Sequence, residues 1–304
     1  MKGVMLLPIV HNPRYNAEFP SDHRFPMGKF KRVAEVLVEE GLVGPGTFHV
    51  PGEAPAAWIA LAHDRAYVDQ VLGCEVPTKI AREIGFAMTP PVALRARCAS
   101  AGTLLTAQLA MEHGIACNTA GGSHHARFEQ GAGFCVFNDV AIAIRVLMAD
   151  GAVERALVID CDVHQGDGTA AIFANDPSVF TLSFHAEKNY PVRKVPSSLD
   201  VPLFDDCDDE HYLDAIRDVV RTTIHNVRPD IVFYNAGVDP HRDDRLGRLA
   251  LSDEGLIERD RFVIDAVREA GIPLAGVLGG GYERDIDRLA RRHATLHRVA
   301  AEFV

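Results

Sequence analysis

The predicted fold is α/β: a single-domain, three-layer α/β/α arrangement with a mainly parallel central sheet of about eight strands. Three observations predict it. Short apolar runs rich in β-branched residues alternate with longer amphipathic stretches along the chain. Several of the long stretches stop at a glycine, as helices do. No repeat, low-complexity tract or long Pro/Gly/Ser linker breaks the alternation, so residues 1–304 are read as one domain. Strand, helix, strand in succession implies parallel pairing with helices on both faces.

The elements follow in order. Val4–Val10 is read as a first strand rather than a signal peptide, because Pro8 interrupts the apolar run and no small-residue cleavage site follows. Helices are expected over Lys29–Glu40, Pro91–His113 and Asn138–Asp150, closed by Gly41, Gly114 and Gly151. Strands are expected at Ala156–Asp160 and Val179–Phe184. Helix Asp208–Asn226, strand Asp230–Tyr234, helix Asp253–Ala270 with its stop at Gly271, strand Pro273–Leu278 and helix Glu283–Ala301 complete the series.

Composition narrows the function. With 47% hydrophobic and 24% charged residues the chain can bury a core and is not disordered. Its 31 Lys+Arg against 42 Asp+Glu leave a net charge of -11, which argues against a nucleic-acid binder. No window approaches the ~20 apolar residues of a membrane span. Six cysteines without a CxxC pair suit free thiols in a reducing, cytoplasmic compartment. The 14 histidines stand out, several beside Asp or Gly.

Ligand sites in parallel sheets lie at the carboxyl ends of strands, and four polar segments are candidates for that position. They are Gly121-Gly122-Ser123-His124-His125 with Gly131-Ala132-Gly133-Phe134, then Asp160-Cys161-Asp162-Val163-His164-Gln165-Gly166-Asp167-Gly168, then Asn235-Ala236-Gly237-Val238-Asp239-Pro240, and Gly279-Gly280-Gly281-Tyr282. Alternate residues of an extended chain share a side, so Asp160, Asp162 and His164 can project together. Asp239 could complete a set of two carboxylates and an imidazole, which suits Zn2+ and also Fe2+ or Mn2+. The rival reading of a lone Asp-x-Asp-x-His is a solvated loop after a strand; three further polar, Gly-rich segments argue against it. His124 and His125 fit either a core histidine with an exposed neighbour or an acid–base pair beside an activated water. Such rings need carboxylates to orient them, and Asp160 and Asp167 are available. Tyr282 is either an incidental aromatic on a glycine turn or a hydroxyl aimed at an oxyanion. Phe134 alone reads as core, or as one wall of an apolar slot.

Together the segments GGSHHARFEQGAGFCVFND, VIDCDVHQGDG, NAGVDP and GGGY resemble the histone deacetylase family of the arginase/deacetylase fold, in family order and over nearly the whole chain. The stretches HNPRYNAEFPSDHRFPMGKFKRVAEVL, LAHDRAYVDQVL and YNAGVDPHRDDRLGRLALSDEGLIERD look most like its small class IV branch, in a bacterial member. The resemblance implies a metal-dependent hydrolase of linear amides. It makes Asp162, His164 and Asp239 the metal ligands, for Zn2+ with Fe2+ as the alternative. It makes His124 and His125 the catalytic pair, backed by Asp160 and Asp167, and Tyr282 the transition-state hydroxyl. Gly133 would offer its carbonyl to the substrate amide, Phe134 would line the acyl-lysine tunnel, and Tyr190 would form the opposite wall. A structural K+ would be held at Asp160, Asp162, His164, Ser183 and Phe184.

The rim loops after Pro51 and between Glu187 and Ser198 do not match the family pattern, so "histone" is here a family name and not a substrate. Acyl-lysine peptides or proteins with acetyl or longer fatty-acyl groups, acylated polyamines and other small amides are all compatible with these motifs, as is a homo-oligomer. The acidic surplus is expected to draw cationic substrates to the mouth. Two rivals are a two-manganese arginase-like or formimidoyl hydrolase and a non-catalytic acyl-lysine binding protein. The filled ligand, His-pair and Gly-Gly-Gly-Tyr positions argue against both.

Overall fold

Strands buried on both faces must be apolar throughout, whereas strands at a sheet edge need not be. This distinction sorts the seven strands of the computed structural model, which describes residues 6–20, 23–44 and 46–304. In chain order the elements are β1 (Ile9–Val10), α1 (Lys29–Glu39), α2 (Ala56–Ile59), α3 (Arg65–Leu72), α4 (Thr78–Ile84), α5 (Pro90–His113), β2 (Ile115–Asn118), α6 (Asp139–Ala149), β3 (Ala156–Asp160), α7 (Asp167–Phe173), β4 (Val179–Ala186), β5 (Leu199–Leu203), α8 (Asp209–Val227), β6 (Ile231–Asn235), α9 (Asp253–Glu269), β7 (Leu274–Val277) and α10 (Ile286–Ala300). The sheet order is β1-β2-β7-β6-β3-β4-β5 and every pairing is parallel. Among the described residues the sheet thus has seven strands where about eight were expected, with the α/β class as expected.

The central strands β2, β7, β6 and β3 are buried along their whole length. β1 and β5 are the edges. β1 is shorter than the expected strand: Val4 lies outside the described residues, and Pro8 has no N–H to give to a ladder. β5 contains Pro202 and is largely exposed, which only an edge tolerates. Helices pack side by side in two groups, α5 with α6 and α6 with α7, and α8 with α9, α10 and α1. Side-chain caps fix several starts. Asn138 Oδ1 accepts from Ala141 N at α6, and Ser252 Oγ accepts from Gly255 N at α9.

α5 departs from the amphipathic stretch expected there. It touches β1, β2, β6, β7 and α6 and is buried nearly all round, which its run of Ala, Gly, Ser and Thr permits by close approach. No helix among the described residues is long and apolar enough to cross a membrane. All six cysteines are free thiols.

The four polar segments follow β2, β3, β6 and β7, which are consecutive neighbours in the sheet. Register aligns their ends: Asp160 lies across from Asn235, and Asn235 from Val277. Chain positions more than 150 residues apart are thereby delivered to one spot (from Gly121 to Tyr282).

Candidate metal centre and active site

Beyond Asp160 the chain leaves β3 and turns through Asp162 and His164, while Asp239 arrives from the end of β6. One ligand atom from each of Asp162, His164 and Asp239 lies within 4.8 Å of the others, and all three residues are buried. Backbone amides steer the carboxylates. Gly280 N donates to Asp162 Oδ2 at 2.6 Å and Val163 N donates to Asp239 Oδ1 at 2.8 Å. His164 Nδ1 faces both carboxylates, 2.9 Å from Asp162 Oδ1 and 3.2 Å from Asp239 Oδ2. Gly280 must be glycine, since a Cβ there would collide with Asp239 Oδ2.

The electrostatics point to a cation. Burial and the neighbouring Asp162 charge push the Asp239 carboxyl up to about 7. Burial disfavours a charged His164, yet the two carboxylates outweigh it and push its pKa up to about 10. Asp239 Oδ2 is buried with no hydrogen-bond partner. Two carboxylates and an imidazole around an unsatisfied oxygen fit a borderline-soft divalent ion with open positions.

His124 and His125 follow β2 and lie against this cluster. His124 Nδ1 donates to Asp160 Oδ2 and His125 Nδ1 to Asp167 Oδ1, each at 2.7 Å. Their Nε2 atoms are 3.1 Å apart. Burial opposes the charged form of both rings. At His124 the carboxylates of Asp160 and Asp162 win and raise the pKa to about 9. At His125 burial prevails, helped by the charge of His124, and the pKa falls to about 4. Before a cation takes up the Asp162 charge, these directions favour a proton on His124 and leave His125 Nε2 as acceptor.

A cavity of about 270 Å³ opens onto His125 and His164, lined among others by Gly133, Phe134, Tyr190 and Tyr282. The Phe134 and Tyr282 ring centroids are 5.7 Å apart, and Tyr190 stands edge-on to His125 at 4.8 Å. Gly133 and Phe134 both take positive φ, held by Gly133 N to Glu83 O and Phe134 N to Ile84 O. Burial, then the charges of Asp162 and Asp239, hold the Tyr282 hydroxyl well above its ordinary pKa, so it stays protonated. Ser183 pairs across the sheet with Asp160, and Phe184 follows it, buried. All the residues named from sequence for the metal, the pair, the tunnel and the K+ thus lie around one strand-end cluster.

Other residues of the site were not anticipated. Arg127 Nη2 donates to Asp167 Oδ2 at 2.5 Å, so Asp167 serves an imidazole and a guanidinium together. Asn235 Nδ2 donates to Asp160 Oδ1 at 2.9 Å. Asp139 accepts from Gly122 N and Ser123 N, and Asp244 Oδ2 accepts from Tyr282 N at 2.7 Å. Buried Lys29 donates from Nζ to Gly279 O and Gly281 O, supporting the glycine turn. Arg127, Asp139 and Asn235 lie inside the quoted segments and could have been flagged as orienting groups. Lys29 lies 250 residues from Gly279 and carries no local signal.

Comparison with known proteins agrees with this geometry. The family described as "Histone deacetylase domain" matches residues 23–298. An uncharacterised protein of Picosynechococcus is 45% identical over 98% of this chain and 99% of its own. "Histone deacetylase 2" of Arabidopsis thaliana is 29% identical over 92% of this chain and 76% of its own. A "Probable deacetylase" of Methanothermobacter thermautotrophicus is 28% identical over 90% and 85%. The crystal structure of the HDA15 HD domain shares the fold, with a TM-score of 0.82 at 22% identity, covering 99% of this chain and 89% of that one.

Proposed function

The chain belongs to the histone deacetylase family, and from that premise we propose that it is a zinc-dependent hydrolase removing acetyl or longer fatty-acyl groups from lysine side chains. One observation carries the reading. A buried Asp162–His164–Asp239 group with an unsatisfied oxygen lies beside two carboxylate-backed imidazoles at the end of a narrow aromatic cavity.

When bound by Asp162, His164 and Asp239, Zn2+, or Fe2+ in its place, would supply Lewis acidity to the acyl carbonyl and lower the pKa of a water toward ~7. The remaining steps fall to the chain. His125 Nε2 takes the water proton, because its Nδ1 is committed to Asp167. His124, protonated and held by Asp160, is the cation beside the developing charge and the source of a proton for the leaving amine. Tyr282 donates its hydroxyl to the oxyanion. Gly133 offers its carbonyl to the amide N–H, while Phe134 and Tyr190 flank the aliphatic stem and exclude water. A K+ at Asp160, Asp162, His164, Ser183 and Phe184 would hold the metal-bearing loop in register. Acylated polyamines are the second substrate class, compatible with the same slot.

The test is an acyl-chain panel from acetyl- to myristoyl-lysine, with acetylpolyamines, on stripped and zinc-reloaded protein. Turnover confined to the reloaded protein and lost in His125→Ala supports the reading. Turnover independent of metal refutes it.

A further inference from the structure

The mouth of the cavity does not share the sign of the whole chain. Arg24 and Arg82 line it, both exposed. Lys188 precedes the lining Asn189, and Arg245 precedes the lining Leu246; both are exposed. None of these four cations is ion-paired among the described residues. Lys194 adds a fifth, its Nζ donating to Asn189 O at 2.7 Å and Pro191 O at 2.8 Å. On these segments the acidic residues are Asp22, Glu83, Glu187, Asp243 and Asp244; Glu83 is held by the side chain of Gln130, Asp243 is paired with Arg288, and Asp244 is turned inward onto the amides of Leu246, Gly247 and Tyr282.

The cations are tied to the tunnel wall and not carried on loose loops. His23, beside Arg24, bonds Gly85 O at 3.0 Å through Nε2. Glu83, beside Arg82, accepts from Gly133 N at 2.9 Å. Arg245 stands between Asp244, which holds Tyr282 N, and Leu246, whose carbonyl accepts from Asn189 Nδ2 at 2.8 Å. A chain of net charge -11 therefore places two exposed arginines, Arg24 and Arg82, against the one lining carboxylate, Glu83, at the entrance to its candidate active site, with exposed Lys188 and Arg245 next to lining residues. A field of positive sign raises the local concentration of anions and repels polycations. A positive field at this entrance would work against the attraction of cationic substrates expected from the acidic surplus.

We infer that the substrate is an acyl-lysine flanked by acidic residues, and that acylated polyamines are disfavoured. This rests on the deacylase reading above and names the substrate class of that site.

The test uses the zinc-loaded protein and matched acyl-lysine peptides with Asp/Glu, uncharged or Lys/Arg flanks, beside an acetylpolyamine. The expected result at low salt is a kcat/KM roughly five- to tenfold higher for acidic than for basic flanks, carried by KM, as a few exposed charge pairs supply. The ratio should fall toward one in high salt and toward one or below in Arg24→Glu/Arg82→Glu. Equal or reversed preference in the parent protein, or a preference indifferent to both salt and substitution, overturns the inference. Anisotropy of fluorescein-labelled acyl peptides reads the same ratio as binding. If nothing is hydrolysed, the deacylase reading fails, while the binding ratio still decides the charge preference.

Discussion

Asp239 keeps one oxygen on Val163 N and leaves the other buried without a hydrogen-bond partner. A buried carboxylate faced only by His164 Nδ1 at 3.2 Å is costly, and a bound metal ion would compensate it. Asp239→Asn retains the amide bond to Val163 and removes the charge. It is expected to lose bound metal by elemental analysis, while the metal-free chain melts no lower than the metal-free parent. Tyr282→Phe is expected to keep its metal and lose about 10²–10³ in kcat, about 2.7–4 kcal/mol, with KM little changed; full retention of kcat would remove the oxyanion role. His63 shows what a histidine does outside the chemistry. Its Nδ1 donates to Arg127 O and its Nε2 accepts from Asn138 N, and burial lowers its pKa to about 4. The unfolded chain binds this proton below about pH 6.5 and the native chain only near 4. Stability is therefore full above that window and falls with pH through it, at about 1.4 kcal/mol per pH unit for one proton. In urea unfolding, the advantage of the parent over His63→Gln should shrink from pH 7 to pH 4.5.

Elements were legible where one physical signal dominated. β3 and the long helices α1, α6, α8 and α9 fall within a residue or two of their expected bounds, because apolar periodicity is clear there and glycine stops close α1, α6 and α9. β2 was missed: Ile115–Asn118 is four residues, too short for a pattern, and follows α5 after Gly114 alone. β5 was hidden by Pro202 and its polar neighbours. The turn after β7 was legible as a site but not as a geometry. Three glycines in a row signal close approach, yet only the fold shows that Gly280 lies against the Asp162 and Asp239 carboxylates of the candidate metal site. Gly280→Ala is accordingly expected to weaken metal affinity by about 10- to 100-fold, the range seen when supporting contacts of a metal site are lost, without abolishing folding. Titration of the stripped variant with zinc and a competing chelator measures this; unchanged affinity would show that the turn yields.

On the scale of the molecule, the family-like segments are legible because they are contiguous, and their meeting is legible because parallel sheets gather strand ends. What they could not convey is the order β2-β7-β6-β3, which makes the four loops immediate neighbours, or the support that Lys29 and Asp244 bring from outside the four polar strand-end segments. Net charge is silent for the same reason: a sum over 304 residues says nothing of where Arg24 and Arg82 sit. The ligand set, the imidazole pair and Tyr282 form a single catalytic unit only if hydrolysis requires the metal. The direct measurement is acyl-lysine hydrolysis by the stripped protein as zinc is returned in increments. Activity should rise linearly and break at one zinc per chain, and stay absent in Asp239→Asn. Activity in the stripped protein, or a fully loaded protein that hydrolyses no acyl-lysine substrate from acetyl to myristoyl, would contradict the account.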